Sequence, residues 1–401
     1  MSEAVARVAM FHNEYALPGG EDESVAMDTA LLRERGVEVV AYRASNREVL
    51  AGPRTGAALA LLRSHFNRSV YERVVRFCRE HQPDVAHVQN FWFALSPSVH
   101  AACHDAGVPT VQTLRNYRLL CVNGMLLREG SPCEECVGKP PWRGVAHACY
   151  NSSRPLSALV ARMITHNRRR GTWERDVDAF VALTEFARGR YVAGGLPADR
   201  ILVRPNSVLD PGPVRPPGRG AVFVGRLSPD KGVDLLLRAW QALPDVPLTI
   251  VGDGPLRGEA ESAAKRSPNI EILGQLAHPQ SLEAIGRAAV LVMASRWYEG
   301  FPRVIVEAFA LGRPVVVPRI GSMAGLVREG VTGLAYDAGS SDALARCVRQ
   351  IVEQPVAALA MSRAARAEYD SLYSPQINGA QLIDVYSQAI QRFRSLAAPR
   401  D

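Results

Sequence analysis

Residues Ser295–Val317 read SRWYEGFPRVIVEAFALGRPVVV and follow, one residue on, a short apolar run, Val290–Met293. The runs Val290–Met293 and Pro314–Val317 are rich in β-branched residues and predict strands, and Pro302 stands where proline is favoured at a helix start. The segment therefore predicts strand, polar loop, helix and strand, the repeating unit of a parallel sheet covered by helices. A helix start exposes unpaired amides, so the N–H groups of Arg303, Val304 and Ile305 suit a phosphate. Glu299 lies in the loop and Glu307 on the helix. A carboxylate accepts hydrogen bonds from vicinal hydroxyls, so the expected arrangement is a sugar at Glu299, a ribose at Glu307 and a diphosphate between them. Hydrolysis by the same pair is disfavoured, because eight helical rises span about 12 Å whereas glycosidase carboxylates stand roughly 5 to 9.5 Å apart.

The same rhythm extends in both directions. Downstream of residue 220, strands are predicted at Ala221–Val224, Leu248–Val251 and Ile270–Leu273 as well, each followed by a helical segment. Upstream, strands are predicted at Val5–Met10, Val37–Tyr42, Val85–Val88, Pro109–Thr113, Ala179–Leu183 and Ile201–Val203. Between them RPNSVLDPGPVRPPGRG, Arg204–Gly220, carries five prolines and three glycines, which forbid regular structure. The expected organisation is an N-terminal domain over 1–204 with an insertion at 114–150, a linker at 205–220, a second domain over 221–374, and a C-terminal helix in 375–401 that packs back on the body. The expected fold class is α/β, two Rossmann-like halves whose parallel sheets face one another across a shared cleft.

In FVGRLSPDKG, Phe223–Gly232, the first strand of the second half ends at Gly225 and Arg226, and Lys231 follows at the next helix start. Arginine supplies a forked donor and lysine a compact charge, a combination suited to a diphosphate. Only three of the 47 basic residues are lysines, Lys139, Lys231 and Lys265, which makes the position of Lys231 informative. The whole chain, 401 residues with 47% hydrophobic and 22% charged, fits a large-core globular protein and neither a disordered tail nor a fibre. No apolar run approaches the roughly 18 residues of a membrane span, and the start reads as a first strand rather than a leader. The expected location is cytoplasmic. A formal charge of +7 points to anionic partners. Ten arginines against five acids between Arg154 and Arg204 suit either a solvated helix face or peripheral contact with an anionic inner membrane surface.

VGRL with its following Lys-Gly, VGDGPL (251–256) and EGFPRVIVEAFALGRPVV (299–316) closely resemble the donor-binding domain of family 4 glycosyltransferases of the GT-B fold. Upstream, HNEYALPGGED (12–22), PDVAHVQNFWF (83–93) and TLRNYRLLCVNG (113–124) extend the likeness over most of the chain. The resemblance implies a nucleotide-sugar donor, retention of anomeric configuration and no metal requirement for transfer. It implies that Arg226 and Lys231 bind the donor diphosphate, Glu299 the sugar and Glu307 the ribose, with Gly225, Val304 and Ile305 beside the donor and Gly19 and Gly20 near donor or acceptor. The expected acceptor is a hydroxyl of a lipid-linked glycan in polysaccharide biosynthesis, or else a soluble natural product. Many relatives carry histidine where this chain has Arg115, beside Asn116. Histidine shuttles a proton near neutral pH and arginine does not, so Arg115 is expected on the acceptor side holding an anion.

Other motifs are weaker. Gly252, Gly254 and Gly258 follow a strand, but the third glycine is one residue late for a dinucleotide fingerprint. Asp176-Val177-Asp178 matches a metal motif of other transferases and reads here as helix-to-strand punctuation. Cys121, Cys133, Cys136 and Cys149 cluster in the insertion and raise the expectation of a structural zinc, against free thiols or disulfides. Two rivals of other classes are a zinc-containing nucleic-acid-binding protein, which leaves EGFPRVIVE unexplained, and a non-catalytic sugar-nucleotide sensor.

Overall fold

Apolar-rich runs of three to eight residues form the strands, most of them buried, and in the computed structural model they assemble into two six-stranded parallel sheets. Residues 5–14, 20–51, 59–214 and 216–397 are described. The chain divides into two units, the first made of Met1–Leu126, Glu134–Pro205 and Asn378–Asp401, the second of Leu127–Cys133 and Asn206–Ile377.

In the first unit the strands are β1 (Arg7–Glu14), β2 (Glu38–Ser45), β3 (Val85–Asn90) and β4 (Thr110–Leu114). After the short antiparallel pair β5 (Leu127–Arg128) and β6 (Ser131–Pro132), which groups with the second unit, come β7 (Ala179–Ala182) and β8 (Ile201–Val203). The sheet order is β2-β1-β3-β4-β7-β8. Its core includes Val8, Met10, Val85, Val111 and Val181. The same core takes in Leu382, Val385, Tyr386 and Ala389, the apolar face of the C-terminal helix Pro375–Ala397. This helix thus belongs to the first unit from Asn378 onward.

The second unit carries β9 (Ala221–Val224), β10 (Leu248–Val251), β11 (Ile270–Gly274), β12 (Val290–Val292), β13 (Val315–Pro318) and β14 (Gly333–Tyr336) in the order β11-β10-β9-β12-β13-β14. Val315, Val316 and Val317 are fully buried in β13. Side chains of that size contribute about 1.5 to 3 kcal/mol each when removed from water. Trp240 illustrates how a polar atom is accommodated in the core: its indole donates to the Val246 carbonyl at 2.9 Å.

Three strands were not foreseen in the sequence. The run GLAY of β14 and the two-residue strands β5 and β6 are too short to show a period.

Candidate active site

The order β11-β10-β9-β12-β13-β14 has one topological switch point, between β9 and β12, and ligands of open parallel sheets sit outside the strand ends there. The two loops that leave this point are Gly225–Gly232, after β9, and Met293–Pro302, after β12. They are stitched together. Arg296 donates its amide to the Asp230 carbonyl at 2.9 Å and its guanidinium to Asp234 Oδ2 at 2.5 Å. Gly232 turns at φ +69°, and a Cβ there would lie 1.9 Å from the Ala294 carbonyl oxygen, so only glycine permits the approach.

This approach brings Lys231 Nζ to 2.5 Å from Glu299 Oε1, which also accepts from Ser295 Oγ at 2.6 Å. The ammonium lies 5.9 Å from the centre of the Trp297 ring. Lys231 ends a short 3-10 turn, Pro229–Lys231, and the helix Val233–Gln241 starts after it, so the residue sits before the helix rather than on it. The sequence assigned Lys231 to a phosphate and Glu299 to a sugar as separate duties, whereas the structure makes them one ion pair. An ammonium has three donors, of which Glu299 takes one. Both bonds to Glu299 fall on Oε1, which leaves Oε2 as an acceptor.

Arg226 is the open member of the group. Its side chain is 65% exposed, and its Nε donates to Ser228 Oγ at 3.3 Å while Nη2 stands 3.6 Å from Asp230 Oδ1. Gly225 continues the sheet, donating to the Val251 carbonyl at 3.0 Å.

The helix after the second loop is Arg303–Ala310. Its amides divide: Ile305 N–H donates to the Pro302 carbonyl at 3.0 Å and is not available to a phosphate, correcting the sequence expectation, while Val304 at the second position has no carbonyl within its own helix to reach. Glu307, buried on the same helix, accepts from His278 Nε2 through Oε1 at 3.1 Å. His278 opens the helix His278–Arg287 that follows β11.

In the first unit the switch point lies between β1 and β3. Gly20 is the first residue of the helix Gly20–Glu34, and Gly19 lies outside the described residues. Arg115 does not reach out toward an acceptor. Its side chain is 3% exposed, with Nε 3.0 Å and Nη2 2.6 Å from Gln89 Oε1 and Nη2 3.5 Å from Asp28 Oδ2. Asp28 Oδ1 accepts from Arg204 at 2.6 Å, Gln89 donates to Asp28 Oδ2 at 3.0 Å, and Arg204 also binds Asn378. Burial alone raises the Asp28 carboxyl, but the two guanidiniums outweigh it and hold the group below the usual carboxylate range. His87 in the same core is pushed down to about 3 by burial, and its ring nitrogens meet Tyr386 Oη and Thr113 Oγ1, each at 2.7 Å. The acceptor-side expectation for Arg115 is thereby corrected: a buried carboxylate at Asp28 takes the guanidinium inward.

Asn116 closes a turn, its Oδ1 accepting from the Arg118 amide at 3.1 Å and its Nδ2 donating to Glu21 Oε1 at 3.3 Å. Burial raises the Glu21 carboxyl. His12 at the end of β1 contacts Asp22 Oδ1 through Nε2 at 2.8 Å, and burial lowers its imidazole.

The four insertion cysteines do not form the expected zinc site. All seven cysteines of the chain are thiols, and among the described residues no three His, Cys, Asp or Glu side chains gather as a metal-binding group. Cys121 Sγ lies instead 3.0 Å from Asn123 Oδ1. The insertion is held by other means: Arg190 meets Glu134 at 2.5 Å, Arg168 donates to the Lys139 carbonyl at 2.9 Å, and Val122 and Leu126 are fully buried. Asp176 pairs with Arg175 at 2.7 Å and Asp178 Oδ2 accepts from the Thr110 amide at 2.8 Å, in keeping with their reading as structural punctuation. Gly252 and Gly254 serve close packing, since a Cβ on Gly252 would lie 1.9 Å from the Gly225 carbonyl oxygen.

Sequence reasoning missed Ser295, Trp297 and His278. Ser295 and Trp297 lie inside the quoted stretch, four and two residues before Glu299, and offered that proximity as a signal. His278 offered only its position at a helix start after a strand.

Two family descriptions match the chain: "Glycosyl transferase 4-like domain" over residues 19–207 and "Glycosyl transferases group 1" over residues 218–354. A D-inositol 3-phosphate glycosyltransferase of Rhodococcus erythropolis is 27% identical over 96% of this chain and 89% of its own length. Among solved structures, Anabaena Alr3699/HepE in complex with UDP is similar at a TM-score of 0.65 and 19% identity, covering 94% of this chain and 98% of that one. Sucrose-phosphate synthase from Thermosynechococcus elongatus is similar at a TM-score of 0.68 and 17% identity, covering 98% and 100%.

Proposed function

Because the chain belongs to the family 4 glycosyltransferases of the GT-B fold, we propose that it moves a sugar, with retention of configuration, from a nucleotide-sugar donor to a hydroxyl of a lipid-linked glycan. The observation that carries the donor half of this reading is the Lys231–Glu299–Ser295 cluster at the β9/β12 switch point, with Arg226 open beside it. Solved structures of the Anabaena neighbour hold UDP and UDP-glucose, which supports a uridine nucleotide as the first donor to try.

In this reading Arg226 and the two remaining N–H groups of Lys231 hold the diphosphate, Glu299 Oε2 accepts from the sugar hydroxyls, and Glu307 Oε2 from the ribose. The bond between the anomeric carbon and the diphosphate oxygen breaks as the acceptor oxygen attacks on the face that the diphosphate leaves. The acceptor proton passes to a diphosphate oxygen, so no dedicated base is needed, in keeping with an Arg115 that is locked away. Charge-assisted hydrogen bonds contribute roughly 1.5 to 3 kcal/mol each, so two cations on the leaving group offer about 4 kcal/mol, on the order of a thousandfold in rate. They act because they are in place before charge develops.

A second reading is favoured by the relatives: their name specifies D-inositol 3-phosphate, and the likeness spans nearly the whole chain. The acceptor is then a small phosphorylated polyol.

Thermal-shift screening against UDP-, GDP-, ADP- and TDP-sugars selects the donor. Incubation with lipid-linked glycan or with D-inositol 3-phosphate then separates the acceptors, and the anomeric proton coupling of the product reports configuration. A chain that binds no nucleotide-sugar, or that yields an inverted product, overturns the proposal.

A further inference from the structure

The helix Arg154–Arg170, RPLSALVARMITHNRRR, contains no acid. Ser153 caps its start, accepting from the Leu156 amide, and Gly171 closes its end at φ +70°. At 100° per residue, Arg154, Arg162 and Arg169 fall on one face, and all three are exposed. Their backbone positions span about 22 Å along the axis.

A second segment lies against this helix. Arg162 donates to the Leu62 carbonyl, Asn167 Nδ2 donates to the His65 carbonyl at 3.1 Å, and the rings of His65 and His166 stand 5.0 Å apart. Within it Leu59 and Leu62, one helical turn apart, are 44% and 48% exposed, and Arg63 beside them is exposed as well. Residues 59–67 carry no acid either. Among the described residues Arg63, Arg154 and Arg169 make no ion pair, whereas exposed arginines such as Arg68, Arg257 and Arg287 are each matched by a glutamate four residues away.

We infer that this acid-free surface, Arg63, Arg154, Arg162 and Arg169 with Leu59 and Leu62 beside them, docks on an anionic lipid bilayer. The arginines match a layer of phosphate headgroups, and the two leucines suit the boundary between headgroup and acyl chain. The leucines favour lipid over nucleic acid, since a phosphodiester backbone has no apolar layer to receive them. The inference deepens the proposed use of a lipid-linked acceptor, yet it is tested without any transfer.

The test is co-sedimentation of the full chain with vesicles of phosphatidylcholine alone or mixed with phosphatidylglycerol. Preference for the mixed vesicles, weakened by salt, is expected. The triple variant Arg63→Gln, Arg154→Gln, Arg169→Gln is expected to lose on the order of a hundredfold in partitioning, at about fivefold per arginine. Leu59→Ser with Leu62→Ser is expected to lose about tenfold, leaving a residue of binding that salt abolishes. Equal binding to neutral and mixed vesicles, binding unmoved by the arginine triple, or displacement of vesicles by a duplex oligonucleotide at equal phosphate concentration overturns the assignment. Nucleotide-sugar binding by the same variants keeps the two proposals apart. Loss of vesicles with intact donor binding supports the surface, and vesicle binding by a wild-type chain that takes no donor leaves the surface standing while the enzymatic reading fails.

Discussion

The two switch points of this chain both gather cations and carboxylates and use them in opposite ways. At β9/β12 a lysine, an arginine and two glutamates sit with spare hydrogen-bonding capacity: Arg226 is largely exposed, and Lys231 and Glu299 each use only part of theirs. Behind β1/β3 two arginines, an aspartate, a glutamine and a histidine are sealed in the core and bonded to one another. Charge alone therefore does not mark a binding site. An open group has donors left for a ligand, whereas a sealed one turns them on its neighbours and holds the fold.

This contrast predicts effects of different kind and size. Asp28→Ala strands Arg204 and Arg115 in the core, and breaking a buried pair this way costs about 3 to 5 kcal/mol, read as a drop in the urea midpoint. A midpoint unchanged from wild type would show that the sealed group is no lock. Lys231→Ala is expected to cut donor-dependent release of nucleoside diphosphate by about a hundredfold or more, with a much smaller shift in melting than Asp28→Ala produces. If the two variants show the same loss of stability, the distinction between open and sealed groups fails.

His87 sharpens the same comparison through pH. Its folded value near 3 lies below its ordinary 6.5, so the unfolded chain takes up a proton that the folded chain refuses. Stability is therefore lost as pH falls from about 6.5 toward 3, by roughly 1.4 kcal/mol per unit for this one group. Asp28, held low by the arginines, keeps its own contribution until more acid conditions. His87→Gln is expected to flatten the slope of unfolding free energy between pH 6.5 and 5, whatever it does to the absolute level. The smallest effect is expected at Glu307, where replacement by alanine weakens nucleotide-sugar affinity by about tenfold, one charged hydrogen bond. Wild-type affinity in that variant would remove the ribose assignment.

Much of this was legible in the amino-acid order, for physical reasons. Strands of a parallel sheet covered by helices are largely apolar, so Ala221–Val224, Leu248–Val251 and Ile201–Val203 stand out with the boundaries that the structure gives them. The loop and helix of residues 295–310 showed themselves because proline and glycine punctuate so strongly. Pairings across long separations were not legible. Nothing local tells Lys231 that Glu299, 68 positions away, will be its partner. Nor does anything near Arg115 reveal that Asp28 and Gln89 will draw it inward. The cysteines misled because spacing along the chain was read as nearness in space, and a long insertion is free to place its thiols apart.

The helix Pro375–Ala397 lends its apolar face to a core whose other members lie mostly before residue 203. During synthesis the first unit must therefore wait while roughly 170 intervening residues are added, which takes on the order of ten to thirty seconds at ribosomal speed. Through that interval the seat of Leu382 and Tyr386 stands uncovered on the nascent chain, a greasy strip open to chaperones, and translation must run past Tyr386 before the earliest-made part of this protein is finished.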